Sequence, residues 1–306
     1  MNKVKDKSGL DRDLQDALHL SNDERIQRVL SLRSEAWIPY PRAQTILHQL
    51  DDLYNLPRPR LDISRSFRSP NLMVISDTNN GKSHLINHFY SLHSKDNNLE
   101  GDAIYAPVIS IEVDSPSLAD FYSLILMFIN ASFRHRDAVG SKKFQILKLL
   151  RHVGTRMLII DELNTAVAGT SLKQRIFWNA IKNLNNCAHI SIVGAGTKEV
   201  FSALRLVPQL DNRFERAELK RWEFGDEFRR LLASFECLLP LRHASELQEP
   251  SVAMRLYSMT EGYIGEVANL LIKAAICAIE TGSEKIDQRL LAKIEWKSPT
   301  ERIRTL

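Results

Sequence analysis

The sequence lacks the features of a secreted, membrane-spanning or fibrous protein. Its 306 residues contain three cysteines, Cys187, Cys237 and Cys277, far apart and odd in number. They encode neither a disulfide framework nor a thiolate metal spacing, which fits a reducing compartment. The longest apolar runs, such as Leu124 to Ile129, fall well short of the roughly 20 residues that a membrane-crossing helix needs. The N-terminus is polar and charged, without the apolar centre of a secretory signal. There are no internal repeats and no low-complexity tracts. A soluble cytoplasmic chain with no membrane partner is expected.

No charge sign dominates the whole chain: 41 Lys and Arg stand against 37 Asp and Glu, a net charge of +4. The surplus is local. Residues 131–156 hold Arg134, Arg136, Lys142, Lys143, Lys148, Arg151 and Arg156 against one acid, Asp137. Such a focused segment suits a polyanion better than a diffuse surplus does. Lys148, Arg151 and His152 fall at i, i+3 and i+4, one face of a helix, while Ile146, Leu149, Leu150 and Val153 supply an apolar side. This helix can lay cations along a phosphate backbone, with weak sequence preference and strong salt dependence. A solvated helix face is the ordinary alternative.

Short apolar strands alternate with helices in the first two thirds of the chain. The pattern predicts strands at 72–75, 105–113, 157–160 and 190–193, and helices at 42–54, 83–93, 117–133, 141–153 and 174–184. This alternation argues a parallel sheet with helices on both faces. Beyond residue 226 the strand signals stop, and helices are predicted at 228–238, 252–259, 264–279 and 290–294. The expected organisation is an N-terminal arm or appendage (1–36), an α/β core (37–225) and a helical lid (226–306). The proline-bearing loop at 57–70 has no assigned role.

Residues 71–83 read as a buried strand that ends in a turn, Gly81-Lys82-Ser83, and then enters a helix. Phosphate loops work because successive backbone N–H groups converge on the anion and a helix N-terminus points at it. Gly81 lets the backbone approach, Lys82 would reach the β- and γ-phosphates, and Ser83 would offer a hydroxyl to Mg²⁺. The loop residues Asp77, Thr78, Asn79 and Asn80, with His84 beyond them, complete the candidate ATP contacts. A second strand ends in Asp161-Glu162, where a parallel-sheet protein holds magnesium and positions a base for the attacking water. Thr197, in Gly194-Ala195-Gly196-Thr197, could sense the γ-phosphate, or be a satisfied turn hydroxyl. Arg213 could reach a neighbouring subunit's nucleotide, or form a surface salt bridge.

The stretches Ser-Asp-Thr-Asn-Asn-Gly-Lys-Ser (76–83), Leu-Ile-Ile-Asp-Glu-Leu-Asn (158–164), Ile-Val-Gly-Ala-Gly-Thr (192–197), Pro-Gln-Leu-Asp-Asn-Arg-Phe (208–214) and Glu-Gly-Tyr-Ile-Gly-Glu (261–266) together resemble the TniB family. These are AAA+ ATPases of DNA transposition, related to the TnsC regulators of Tn7-like transposons. The resemblance runs from about Trp37 to about Ile294. It implies an AAA+ P-loop fold and an ATP- and Mg²⁺-dependent protein that assembles as rings or helical filaments on double-stranded DNA. Such a protein recruits a transposase and answers to a target-selection protein.

By the same resemblance, Lys82 and Ser83 take the phosphate and magnesium positions, and Asp161 is the magnesium aspartate. Glu162 is the catalytic base, Thr197 the first sensor, Arg213 the inter-subunit finger and Tyr263-Ile264-Gly265 the lid motif. DNA contacts are implied at Ser115 to Ser117 and Gly140 to Lys143, which brings in Ser117, Ser141, Lys142 and Lys143 beside Lys148 and Arg151. Lys142 and Lys143 are the first choice.

Two positions depart from the pattern. Ser76 replaces the first loop glycine, and Glu266 stands where many AAA+ proteins carry a second-sensor arginine. Both would slow hydrolysis and suit a switch more than a motor. The competing readings are an ATP-gated scaffold with little hydrolysis, a P-loop phosphotransferase and a signalling NTPase.

Overall fold

The structure, a computed structural model, describes residues 19–57, 69–94, 105–205 and 212–304. Most of the 57–70 loop, the first half of the expected arm and Pro208 to Asp211 of the finger motif lie outside these residues. The chain forms two compact units. One comprises Pro41–Thr78 and Lys82–Lys220, and the other Met1–Tyr40, Asn79–Gly81 and Arg221–Leu306.

Helix α1 (Asn22–Glu35), the first among the described residues, belongs to the second unit. The first unit runs α2 (Pro41–Asn55), β1 (Asn71–Ser76), α3 (Lys82–His93), β2 (Val108–Glu112), α4 (Leu118–Phe128), α5 (Val139–His152), β3 (Met157–Asp161), α6 (Leu163–Val167), α7 (Ser171–Ala188), β4 (Ser191–Gly196), α8 (Lys198–Arg205) and β5 (Phe214–Leu219). All its strand pairs are parallel, in the order β2-β3-β4-β1-β5. Every residue of β1, β3 and β4 is buried, as expected of central strands covered by helices on both faces. Phe121, Phe177 and Trp178 pack edge to face in the core beside them.

The chain leaves β1 for the far edge, returns through β3 to β4 beside β1, then crosses to β5 on the other side. The loop after β1 therefore lies at the point where the winding reverses, the usual ligand crevice of an open parallel sheet. Strand β5 goes beyond the sequence expectation, which has no strand there. Only Phe214, Ala217 and Leu219 are buried, while Glu215, Arg216 and Glu218 face water. Charge on an edge strand blunts pairing with another chain and also hides the strand from an apolar-run reading.

The second unit is helical: α1 with α9 (Asp226–Glu236), α10 (Pro250–Thr260), α11 (Ile264–Glu280), α12 (Gln288–Lys293) and α13 (Pro299–Arg304). Its boundary falls at Arg221, ahead of the expected 226. Residues 22–35, within the expected arm, form a helix grouped with this unit. Arg25 is fully buried, and its Nε and Nη2 donate to the Pro240 carbonyl at 3.0 and 2.8 Å. The same guanidinium grips the Glu284 carboxylate with both amino groups, Nη1 to Oε1 at 3.0 Å. A Ser21–Glu24 capping box starts the helix. Among the described residues no single helix is long and apolar enough to cross a membrane, and α10 with α11 reaches that composition only as a pair bent by 114°.

Candidate active site

Strand β1 delivers the chain into Asp77–Gly81 at the winding reversal. Asn79 and Gly81 both adopt positive φ, 61° and 85°, so the backbone turns left-handed twice before α3 begins at Lys82. Gly81 meets that requirement without strain. The N-terminus of the 12-residue α3 is thereby exposed to whatever the loop holds. Ser76, at the first loop position, is buried and donates its hydroxyl to the Asp77 carbonyl at 3.0 Å.

The parallel register carries the C-terminal ends of β1, β3 and β4 to one edge of the sheet. Lys82 is buried there, with its ammonium 3.9 Å from Asp161 Oδ1 and 3.7 Å from Glu162 Oε1. Both distances exceed hydrogen-bond length, so the lysine is held by charge and left able to turn to a new anion. Asp161 Oδ1 accepts the Glu162 N–H at 2.8 Å, and Glu162 takes a left-handed φ of 53°.

Asn164, which has no predicted role, links the rest. Its Nδ2 donates to Glu162 Oε2 at 3.2 Å, and its Oδ1 accepts the Thr197 N–H and hydroxyl at 2.9 and 3.0 Å. Thr197 Oγ1 also meets the Glu199 carboxylate, which this hydroxyl holds below the usual carboxylate range.

This donor set fits a magnesium–triphosphate ligand. Ser83 and Asp161 are the residues that would hold the ion. Mg²⁺ takes few protein oxygens and completes its shell with phosphate and water, so two hard donors suit it. Among the described residues no cluster of three or more His, Cys, Asp or Glu could hold a metal by itself. His84, half-buried in the first turn of α3, contributes to keeping the His88 imidazole below its ordinary value, after burial as the larger cause.

Within the helical unit, the Gly265 N–H donates to the Asn79 carbonyl at 3.1 Å, and Asn79 Nδ2 donates to Glu266 Oε1 at 2.6 Å. A Cβ at Gly265 would stand 2.0 Å from Asn79 Oδ1, so only glycine allows this approach. Tyr263 opens α11, with its hydroxyl 3.4 Å from Arg221 Nη1.

Arg213 lies at the opposite end of the sheet. Its carbonyl accepts the Asn71 N–H at 3.2 Å where β1 starts, and its Nη1 donates to Asn186 Oδ1 at 2.9 Å. A six-residue strand, about 20 Å long, separates that end from the loop after β1.

The residues expected to meet DNA divide. Lys142 is corrected: it is 1% exposed, and its ammonium donates to Ser123 Oγ at 2.9 Å and the His135 carbonyl at 3.0 Å. It lies on the same stripe as Ile146 and Leu150, at i, i+4 and i+8, which points inward. Ser117 caps α4 by accepting the Asp120 N–H, and Ser115 bonds Asp120 and the Ser117 N–H, so both hydroxyls serve the helix end. Ser141 and Lys148 are exposed, Lys148 over the exposed Phe144 ring at 4.4 Å, and Lys143 is half-buried. Arg151 is exposed and donates to the Cys187 carbonyl at 2.7 Å.

The family described as Bacterial TniB protein matches residues 28–224. The chain belongs to the TniB family. No curated protein matches the sequence. Among solved structures, the Aeropyrum pernix ORC2 protein in its ADPNP-ADP complexes superposes with a TM-score of 0.63 at 15% identity, covering 86% of this TniB chain and 70% of that one. Its ADP form gives 0.62 at 16%, with the same coverage. The Aeropyrum pernix ORC1 protein in complex with DNA gives 0.56 at 13%, covering 92% and 69%. These identities carry the fold alone: the TniB chain has an AAA+ P-loop NTPase fold with a helical C-terminal region.

Proposed function

We propose that this TniB protein is an ATP-dependent regulator of DNA transposition. It binds ATP with Mg²⁺, assembles as a ring or helical filament on double-stranded DNA, and recruits or activates a transposase, under the direction of a target-selection protein. The observation that carries the nucleotide half is the buried Lys82 facing Asp161 and Glu162 at the mouth of a phosphate loop. In this reading Lys82 turns from the carboxylates to the phosphates, Asp161 and Ser83 face the ion, and Glu162 accepts a proton from the attacking water. Thr197 and Asn164 fix the side of the site where the terminal phosphate would lie. Asp77 to Asn80, His84 and Tyr263 complete the nucleotide contacts.

Arg213 supports assembly. Standing at the far end of the sheet, it cannot serve its own loop and is suited to a neighbour's. DNA contact falls to Ser141, Lys143, Lys148 and Arg151 on α5, whose exposed face is cationic. A second reading, a nucleotide-gated scaffold with little turnover, draws on Glu162 being engaged by both Lys82 and Asn164.

Mobility shift and negative-stain imaging with ATP, a slowly hydrolysed analogue, ADP or no nucleotide test the proposal beside Lys82→Ala. Nucleotide-dependent assembly on duplex DNA that vanishes in Lys82→Ala is expected. No DNA association in any nucleotide state at low salt would overturn it. Assembly without measurable phosphate release would favour the scaffold.

A further inference from the structure

The second-sensor position carries an acid, Glu266, and that acid is buried. Its Oε1 accepts from Asn79, two residues before Gly81 in the loop assigned to the phosphates. A carboxylate here opposes a polyphosphate, because burial leaves its charge poorly screened and its sign is that of the ligand. The helical unit answers with a cation from far along the chain: Arg302 Nη2 meets Glu266 Oε2.

This arginine is held in place on several sides. Its Nε donates to the Lys297 carbonyl at 3.0 Å, and its guanidinium lies 5.6 Å from the Trp296 ring centre. Trp296 Nε1 donates to the Met259 carbonyl at 2.9 Å, and Lys273 Nζ to the Glu295 carbonyl at 2.8 Å. Thr300 donates its N–H and hydroxyl to the Glu261 carboxylate at 3.0 and 2.8 Å. Residues 295–302 are thus strapped to α10 and α11, and the strap ends in a guanidinium on the acid that holds the loop.

We propose that Arg302 is a nucleotide-positioning residue, cancelling from the C-terminal strap the negative charge that Glu266 places beside the loop. The inference rests on the reading of residues 77–83 as a nucleotide loop. Arg302 acts through Glu266. It turns a buried anion beside the loop into a near-neutral pair and keeps the carboxylate aimed at Asn79. Bound phosphates then meet an ordered loop without a repelling charge behind it.

The test is titration of the full chain with a fluorescent ATP analogue and with ADP, comparing wild type, Arg302→Gln, Arg302→Lys, the Glu266→Gln/Arg302→Gln pair and Lys82→Ala. Arg302→Gln should weaken ATP binding about tenfold, and ADP binding less, because the triphosphate carries more charge. Arg302→Lys keeps the charge and should stay near wild type. The paired variant removes the anion together with its partner and should recover most of the loss, while the larger loss for ATP than for ADP is the readout that a merely structural arginine would not give. Wild-type affinity in Arg302→Gln, or a pair as weak as the single variant, would overturn the inference. Binding lost in Lys82→Ala but intact in Arg302→Gln overturns it while leaving the proposed function standing. A wild-type chain that binds neither nucleotide overturns both.

Discussion

Asn164 Oδ1 accepts both the backbone N–H and the hydroxyl of Thr197, at 2.9 and 3.0 Å. The same side chain donates to Glu162, so one amide joins the proposed base to the proposed sensor. The network also fixes which way the amide faces, since its oxygen meets donors and its nitrogen meets an acceptor. The Thr197 hydroxyl has one hydrogen and two acceptors in reach, Asn164 and Glu199, and can change partner without breaking the chain of contacts.

Asn164→Ala should lower kcat for ATP hydrolysis about tenfold or more and leave nucleotide affinity nearly unchanged, because it removes the amide that orients Glu162 and Thr197 without touching the loop. Asn164→Asp should be worse, since it sets a second carboxylate against Glu162. Steady-state ATPase that separates kcat from KM decides. A change confined to KM would remove Asn164 from the hydrolytic step.

Arg213→Ala should abolish most ATPase activity yet leave ATP binding intact. Mixing it with Lys82→Ala should restore part of the rate, because each variant brings the part the other lacks to a shared interface. No recovery at any mixing ratio would argue against a role in trans.

Lys142 and Lys148 should behave as opposites. Lys148→Ala should weaken DNA binding and reduce the slope of log affinity against log salt by about one, the signature of one lost phosphate contact. Lys142→Ala should leave that slope unchanged and lower the melting temperature, since it removes the buried ties to Ser123 and His135.

The Arg25–Glu284 pair predicts a pH dependence of stability. The Arg25 guanidinium holds the Glu284 carboxyl below its ordinary value of 4.5. A carboxyl with a depressed folded value adds stability above its unfolded value and loses it as the pH falls through the folded one. Melting temperature should therefore drop below about pH 4.5, and Glu284→Gln should flatten that drop. Arg25→Ala, which leaves a buried carboxylate without its partner, should cost about 3 kcal/mol at neutral pH. Denaturant unfolding measures it.

Strands β1, β3 and β4 were legible because burial on both faces writes a continuous apolar run, edge strand β2 because Val108, Ile109 and Ile111 keep it largely apolar, and the phosphate loop because its turn demands particular residues. Strand β5 was not, since an edge strand with Glu215, Arg216 and Glu218 outward leaves no such run. Lys142 and Arg25 show the limit of reading charge as exposure. Both sit on helix stripes with apolar neighbours, and both are buried on partners that no local pattern announces. Asn164 and Thr197 lie 33 residues apart and Glu266 and Arg302 lie 36 apart, so those contacts exist only once the fold has formed.

Arg25 and Glu284 are separated by 259 residues, which sets a timetable for synthesis. At roughly 5–20 residues per second, helix α1 leaves the ribosome some 13–50 seconds before its partner exists. The α/β unit, complete at Lys220, can form in that interval, whereas the helical unit cannot close until Glu284 has been translated. A nascent chain cut short before residue 284 would carry a folded sheet and an unclosed helical unit, so a prematurely terminated product would lack the strap that carries Arg302.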